Sequence, residues 1–175
     1  MKIFFLFLVL CGLRAEATVN QQTQVAIFAG GCFWCMEHDF DQVPGVISTA
    51  SGYTGGTKVN PTYEEVSSGG TGHVEAVQVV YDPSKVSYQQ LLDFYFHNID
   101  PTRNDGQFCD NGSQYRPVIF YENNEQKQLA EKYKQDLIAS KKVQPVLVDI
   151  LQHTLLIIRE LAAHCTPPWQ STSPR

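Results

Sequence analysis

The chain has 175 residues, 43% hydrophobic and 18% charged, with a net charge of −5. That length suits one domain around one sizeable core, and the composition excludes a disordered chain. The acidic balance, with Lys141-Lys142 as the one adjacent basic pair, excludes a nucleic-acid surface.

Lys2 gives the amino end a positive start, residues 3–13 are an apolar run too short to span a bilayer, and Ala15-Glu16-Ala17 fits a small-residue cleavage site. Residues 1–17 therefore read as a signal peptide, which implies a secreted or secretory-lumen protein with no membrane anchor after cleavage. Cleavage removes Cys11 and leaves Cys32, Cys35, Cys109 and Cys165 in a compartment that permits disulfides. Residues 18–24 are a polar lead-in.

Residues 25–29 read as a buried strand, Gly30-Gly31 as a sharp turn, and 33–43 as a helix with Cys32 at its amino end. Free N–H groups and the helix dipole favour an anion there, so a lowered thiol pKa is expected. Cys35, three residues on, shares a helical face with Cys32. Cys32-x-x-Cys35 suits a redox or nucleophile site, a structural disulfide or two buried thiols. A zinc site would want a second C-x-x-C or a spaced His pair, and the sequence has neither, so no metal is expected.

Pro44-Gly45 ends the helix, 46–52 reads as a strand, Tyr53-Thr54-Gly55-Gly56 as a turn, and 57–72 as a long surface loop carrying Tyr63. Residues 74–81 alternate clearly as a strand that puts Glu75 on the same face as Val77 and Val79, an unusual place for a carboxyl. Residues 87–99 form a helix opened by a Ser87/Gln90 capping box and buried through Leu91, Leu92, Tyr95, Phe96 and Ile99. A second polar loop, 102–113, holds Asp105, Cys109 and Asp110. Residues 114–121 read as a strand, 125–142 as an exposed amphipathic helix, and 146–151 as a last strand. No repeat or linker divides the chain, so the expectation is one α+β layer structure, a mixed sheet with helices packed on it.

A thiol, a desolvated carboxyl and the phenols of Tyr63 and Tyr115 suit a single reaction, in which sulfur attacks an atom while a proton goes to the oxygen which that atom bears. The residues that carry this chemistry fall within a resemblance. Gly31-Cys32-Phe33-Trp34, Gly52-Tyr53-Thr54-Gly55-Gly56, Asn60-Pro61-Thr62-Tyr63, Thr71 to Val77 (TGHVEAV) and Gly112-Ser113-Gln114-Tyr115-Arg116 resemble, in order, the motifs of the A-type peptide methionine-sulfoxide reductases.

The resemblance implies a two-layer α+β sandwich with a ferredoxin-like sheet core. It implies reduction of the S-epimer of methionine sulfoxide, free or in oxidised proteins, with no bound metal or organic cofactor. Carried over by position, Cys32 is the nucleophile, Glu75 the proton donor, and Tyr63 and Tyr115 partners of the sulfoxide oxygen. Phe33 and Trp34 hold the methyl group, and Asp110 helps order the site. The resulting sulfenic acid condenses with a thiol, for which Cys35 and Cys109 are the local candidates, and thioredoxin or another external dithiol reduces the disulfide. A monomer is expected.

The reductase domain is read as 18–150 and residues 151–175 as a divergent tail, apolar and compatible with a helix over 151–164, then Thr166-Pro167-Pro168-Trp169. Poor packing of that tail is the expectation. Two further readings stay open: a general thiol–disulfide oxidoreductase using Cys32-x-x-Cys35, and a secreted, catalytically inactive binding protein.

Overall fold

The computed structural model describes residues 22–158. The expected signal peptide and Cys165 lie outside that range. Strands β1 (Gln24–Ala29), β2 (Val46–Thr54), β3 (Val74–Tyr81) and β6 (Val118–Tyr121) stand in the order β6-β1-β3-β2, every neighbour antiparallel. Helix α1 (Phe33–Asp41) joins β1 to β2, and α3 (Tyr88–Asn98) lies between β3 and β6. This is the split βαβ arrangement of a ferredoxin-like core. β7 (Asp149–Gln152) adds in parallel to β6, and β8 (Ile157–Ile158) adds to β2 at the opposite edge, giving a six-stranded mixed sheet in an α+β fold.

The period-two pattern of β3 sorts the two sheet faces. Val77, Val79 and Tyr81 join Phe28, Phe40, Leu91, Leu92 and Tyr95 in the main core beneath α1, α3 and α4 (Asn124–Ser140). Val74 and Ala76 face the other way, with Ile27, Ala29, Val118 and Phe120 in a smaller core. The Ser87/Gln90 capping box opens α3 as expected.

Several boundaries differ from expectation. Tyr53 and Thr54 are the fully buried end of β2, not a turn. The 57–72 loop contains a short helix, α2 (Tyr63–Ser67), started by a Thr62/Glu65 capping box. The 102–113 loop folds into a hairpin of β4 (Gly106–Gln107) and β5 (Asp110–Asn111). Residues Ser113–Tyr115 form a 3₁₀ turn before β6, so strand pairing begins only at Val118.

The tail also differs. Its described part, residues 151–158, is the end of β7, a connecting segment and β8, with no helix. Residues 153–156 run from β7 to β8 and are tied to the sheet by hydrogen bonds. The His153 N–H donates to the Tyr121 carbonyl at 3.0 Å, and the Thr54 hydroxyl donates to the Leu155 carbonyl at 2.6 Å. His153 Nδ1 lies 2.8 Å from the Glu122 carboxylate, and Leu156 packs on the smaller core. Gly52 permits the close passage: a Cβ there would sit 2.6 Å from the Ile157 carbonyl. Deleting residues 152–175 therefore removes sheet pairing, hydrogen bonds worth about 1 kcal/mol each and part of an apolar cover. We expect a loss of about 2 kcal/mol and a midpoint lower by roughly 5 °C in thermal unfolding, the reverse of what the sequence pattern suggested.

Candidate active site

Cys32 is the N-cap of α1, with extended backbone (φ −60, ψ 117). Its carbonyl accepts from the N–H groups of Cys35 and Met36, each at 3.1 Å, and so starts the helix. The preceding Gly31 has φ 103, and its N–H donates to the Tyr115 carbonyl at 3.0 Å. That one bond ties the Cys32 turn to the Tyr115 turn, 84 residues away in sequence.

Glu75 comes up from β3 opposite Tyr53 and is 2% exposed. The backbone N–H of Phe33, the first residue of α1, donates to its Oε2 at 3.1 Å. Burial pushes the carboxyl up to about 7, against the pull of the Phe33 N–H, with the Asp110 charge adding to the rise. At neutral pH this group holds a proton a large part of the time.

The thiol departs from expectation. Burial pushes Cys32 up to about 12. The N–H of Cys35 lowers it, the Cys35 charge raises it, the Trp34 N–H lowers it and the Glu75 charge raises it. The helix terminus acts in the expected direction, but desolvation outweighs it. Cys32 thus rests as a thiol.

Aromatic rings form a continuous wall beside it. Phe33 lies 5.2 Å from Trp34 and 5.5 Å from Tyr53 between ring centroids, and Trp34 stacks on Tyr63 at 5.7 Å. Tyr63 sits on α2 and is 41% exposed, so its ring is held by stacking and not by burial. The Gln114 amide donates to the Ser67 carbonyl at 2.9 Å, joining the end of α2 to the turn that carries Tyr115. Burial raises the Tyr115 phenol to about 12, followed by the charges of Glu75 and Tyr63, with Asp110 also contributing. Tyr115, Glu75, Tyr63 and Asp110 therefore lie within electrostatic reach of one another.

Cys35 is exposed one turn along α1, and Cys109 is exposed at the tip of the β4–β5 hairpin. Cys32, Cys35 and Cys109 are all free thiols, and all three line one cavity of about 290 Å³. His73 has both ring nitrogens committed to backbone: Gly56 N–H at 3.2 Å and the Lys58 carbonyl at 2.8 Å.

Sequence reasoning missed the supports. Tyr53 backs the Phe33 ring, the Ser51 hydroxyl donates to Glu37 beneath α1, and Gln114 joins two loops. Only the α2 cap had a local signal, Thr62-x-x-Glu65.

Comparison with known proteins agrees with this geometry. A family model described as peptide methionine sulfoxide reductase matches residues 24–160. The MsrA protein of Limosilactobacillus reuteri is 58% identical over 112 residues, spanning 64% of each chain. That of Listeria monocytogenes is 52% identical over 132 residues, 75% of each. Among solved structures, reduced Mxr1 from Saccharomyces cerevisiae aligns with a TM-score of 0.70 at 26% identity, covering 81% of this chain and 82% of the yeast chain. The same yeast protein in complex with Trx2 shares the fold at 21% identity and a TM-score of 0.54, over 86% and 93%. With the family match running from β1 through β8, the chain belongs to the peptide methionine sulfoxide reductase family.

Proposed function

We propose that this protein reduces the S-epimer of methionine sulfoxide, free or in oxidised proteins, and so repairs them. The observation that carries the reading is Glu75: a buried carboxyl with a pKa near 7, fixed on the first N–H of the helix that begins at Cys32. A general thiol–disulfide oxidoreductase does not need an acid to protonate an oxygen.

The sulfoxide oxygen sits among Glu75, Tyr63 and Tyr115, and its methyl group lies against Phe33 and Trp34. The Cys32 sulfur forms a bond to the sulfoxide sulfur while Glu75 gives its proton to the oxygen. The thiol proton of Cys32 restores Glu75. The hydroxyl oxygen then passes to the Cys32 sulfur: the methionine S–O bond and the Cys32–methionine S–S bond break as a Cys32 S–O bond forms, leaving methionine and the Cys32 sulfenic acid, which holds the sulfoxide oxygen and one hydrogen. Burial keeps Glu75 protonated, and the Asp110 charge adds to this by repulsion.

Cys35 attacks the sulfenic acid first, releasing water. It is one helical turn from Cys32 and already felt electrostatically there, whereas Cys109 is not among the groups that shift Cys32. Closing so short a gap is entropically cheap. Cys109 then takes the disulfide from Cys35, and a thioredoxin-like or other dithiol reductant removes it. No bound cofactor takes part. The amino-terminal pattern supports secretion, and the protein acts as a monomer.

Turnover of methionine S-sulfoxide with dithiothreitol tests the reading directly; no methionine formed would refute it and favour a binding protein. Cys35→Ser is expected to reduce one equivalent and then stall with thioredoxin, while Cys109→Ser slows only exchange with thioredoxin. Mass mapping after one turnover checks the order: a Cys32–Cys109 bridge with no Cys32–Cys35 species reverses it.

A further inference from the structure

The cavity shared by the three thiols is walled mainly by carbon. Met36 and Phe40 come from α1, Phe94 and Ile99 come from α3 and the residue that follows it, and Phe108 stands at the hairpin tip. Glu75, Tyr63, Tyr115 and Trp34 do not line it, so neither the oxygen nor the methyl group of a sulfoxide needs it. Phe108 is 66% exposed and holds a left-handed backbone, φ 47, which a bulky residue disfavours. Arg103 holds it there. Its guanidinium donates to the Phe108 carbonyl at 3.1 Å, to Asp105 at 3.2 Å and to Asn111 at 3.0 Å. An aromatic ring is thus kept in water, in a strained conformation, at the lip of an apolar hole beside the nucleophile.

We infer that this cavity is a subsite for an apolar side chain next to the methionine sulfoxide in a polypeptide substrate, with Phe108 as its lid residue. The inference rests on the sulfoxide-reductase reading. Continuity with Cys32 identifies the occupant, since a polypeptide whose sulfoxide meets that sulfur continues past it on at least one side. Asp39 and Asp110 also line the cavity, so an acidic neighbour is repelled where an aliphatic one is buried.

The test compares kcat/KM, with dithiothreitol as reductant, for N-acetylmethionine S-sulfoxide and for Gly-flanked sulfoxide peptides carrying Leu or Asp on either side. Leu on one side is expected to raise kcat/KM about tenfold over Gly, with Asp below Gly at the same position. Phe108→Ser, at an exposed position, should bring the Leu/Gly ratio close to one. Turnover of all substrates without a Leu preference overturns the inference and leaves the reductase reading standing. A preference that survives Phe108→Ser overturns it too. An effect of Phe108→Ser seen only with thioredoxin would assign the cavity to the reductant instead. No turnover of N-acetylmethionine sulfoxide removes the underlying reading itself.

Discussion

Cys32→Ser is expected to abolish methionine formation, even in a single turnover, while the fold survives. The chemistry requires a sulfur–sulfur bond to the sulfoxide and then a sulfenic acid, and a hydroxyl supplies neither. Stability should hold or rise. The Cys32 side chain makes no capping hydrogen bond to α1, and serine is a preferred N-cap. Circular dichroism and thermal unfolding check the fold, and chromatography of methionine checks the activity. Wild-type turnover in Cys32→Ser would move the nucleophile elsewhere. Because burial holds Cys32 as a thiol, rapid alkylation at mild pH is not its signature; exposed Cys35 and Cys109 should be alkylated first.

Glu75→Gln should lower kcat by roughly 10²–10⁴-fold, the usual worth of a positioned general acid. The amide can still accept the Phe33 N–H, so the loss belongs to the proton. Wild-type activity should fall as pH rises through about 7, where Glu75 gives up the proton it must donate, and the residual rate of Glu75→Gln should lack that fall. The linked stability effect has a definite sign. The folded pKa, about 7, lies above the ordinary value of 4.5, so the stabilisation is complete below the ordinary value and lost as pH rises through 7. Glutamine does not ionise. Relative to wild type, Glu75→Gln should gain up to about 3 kcal/mol between acidic and alkaline pH, measured by denaturant unfolding. An unchanged rate in Glu75→Gln would leave the carboxyl a purely structural group.

The main strands and the three long helices were legible because their signals are local. Alternation over residues 74–81 and the Ser87/Gln90 box each need only a short window. The site residues named from motifs also come together in space. What escaped was tertiary. Tyr53 and Thr54 looked like a turn because glycines flank them, yet β3 on one side and β8 on the other keep the strand going. The Cys32 pKa was misjudged because the helix end is visible in sequence while the burial that outweighs it comes from distant segments. The tail looked helical by composition, but its described residues find two open sheet edges to join.

The brevity of β8 has a consequence for how copies of the protein meet. It covers only Gly52 and Tyr53, so on that side no described strand pairs with β2 from Val46 to Ser51. This rim carries Ile47 at 51% exposure and has neither lysine nor proline, but the register shift between Val46 and Ser48 bulges the strand at Ile47, a device that blunts such a rim. A second chain is thereby denied a flat edge on which to add a strand. The net charge of −5 adds a repulsion between copies that salt screens.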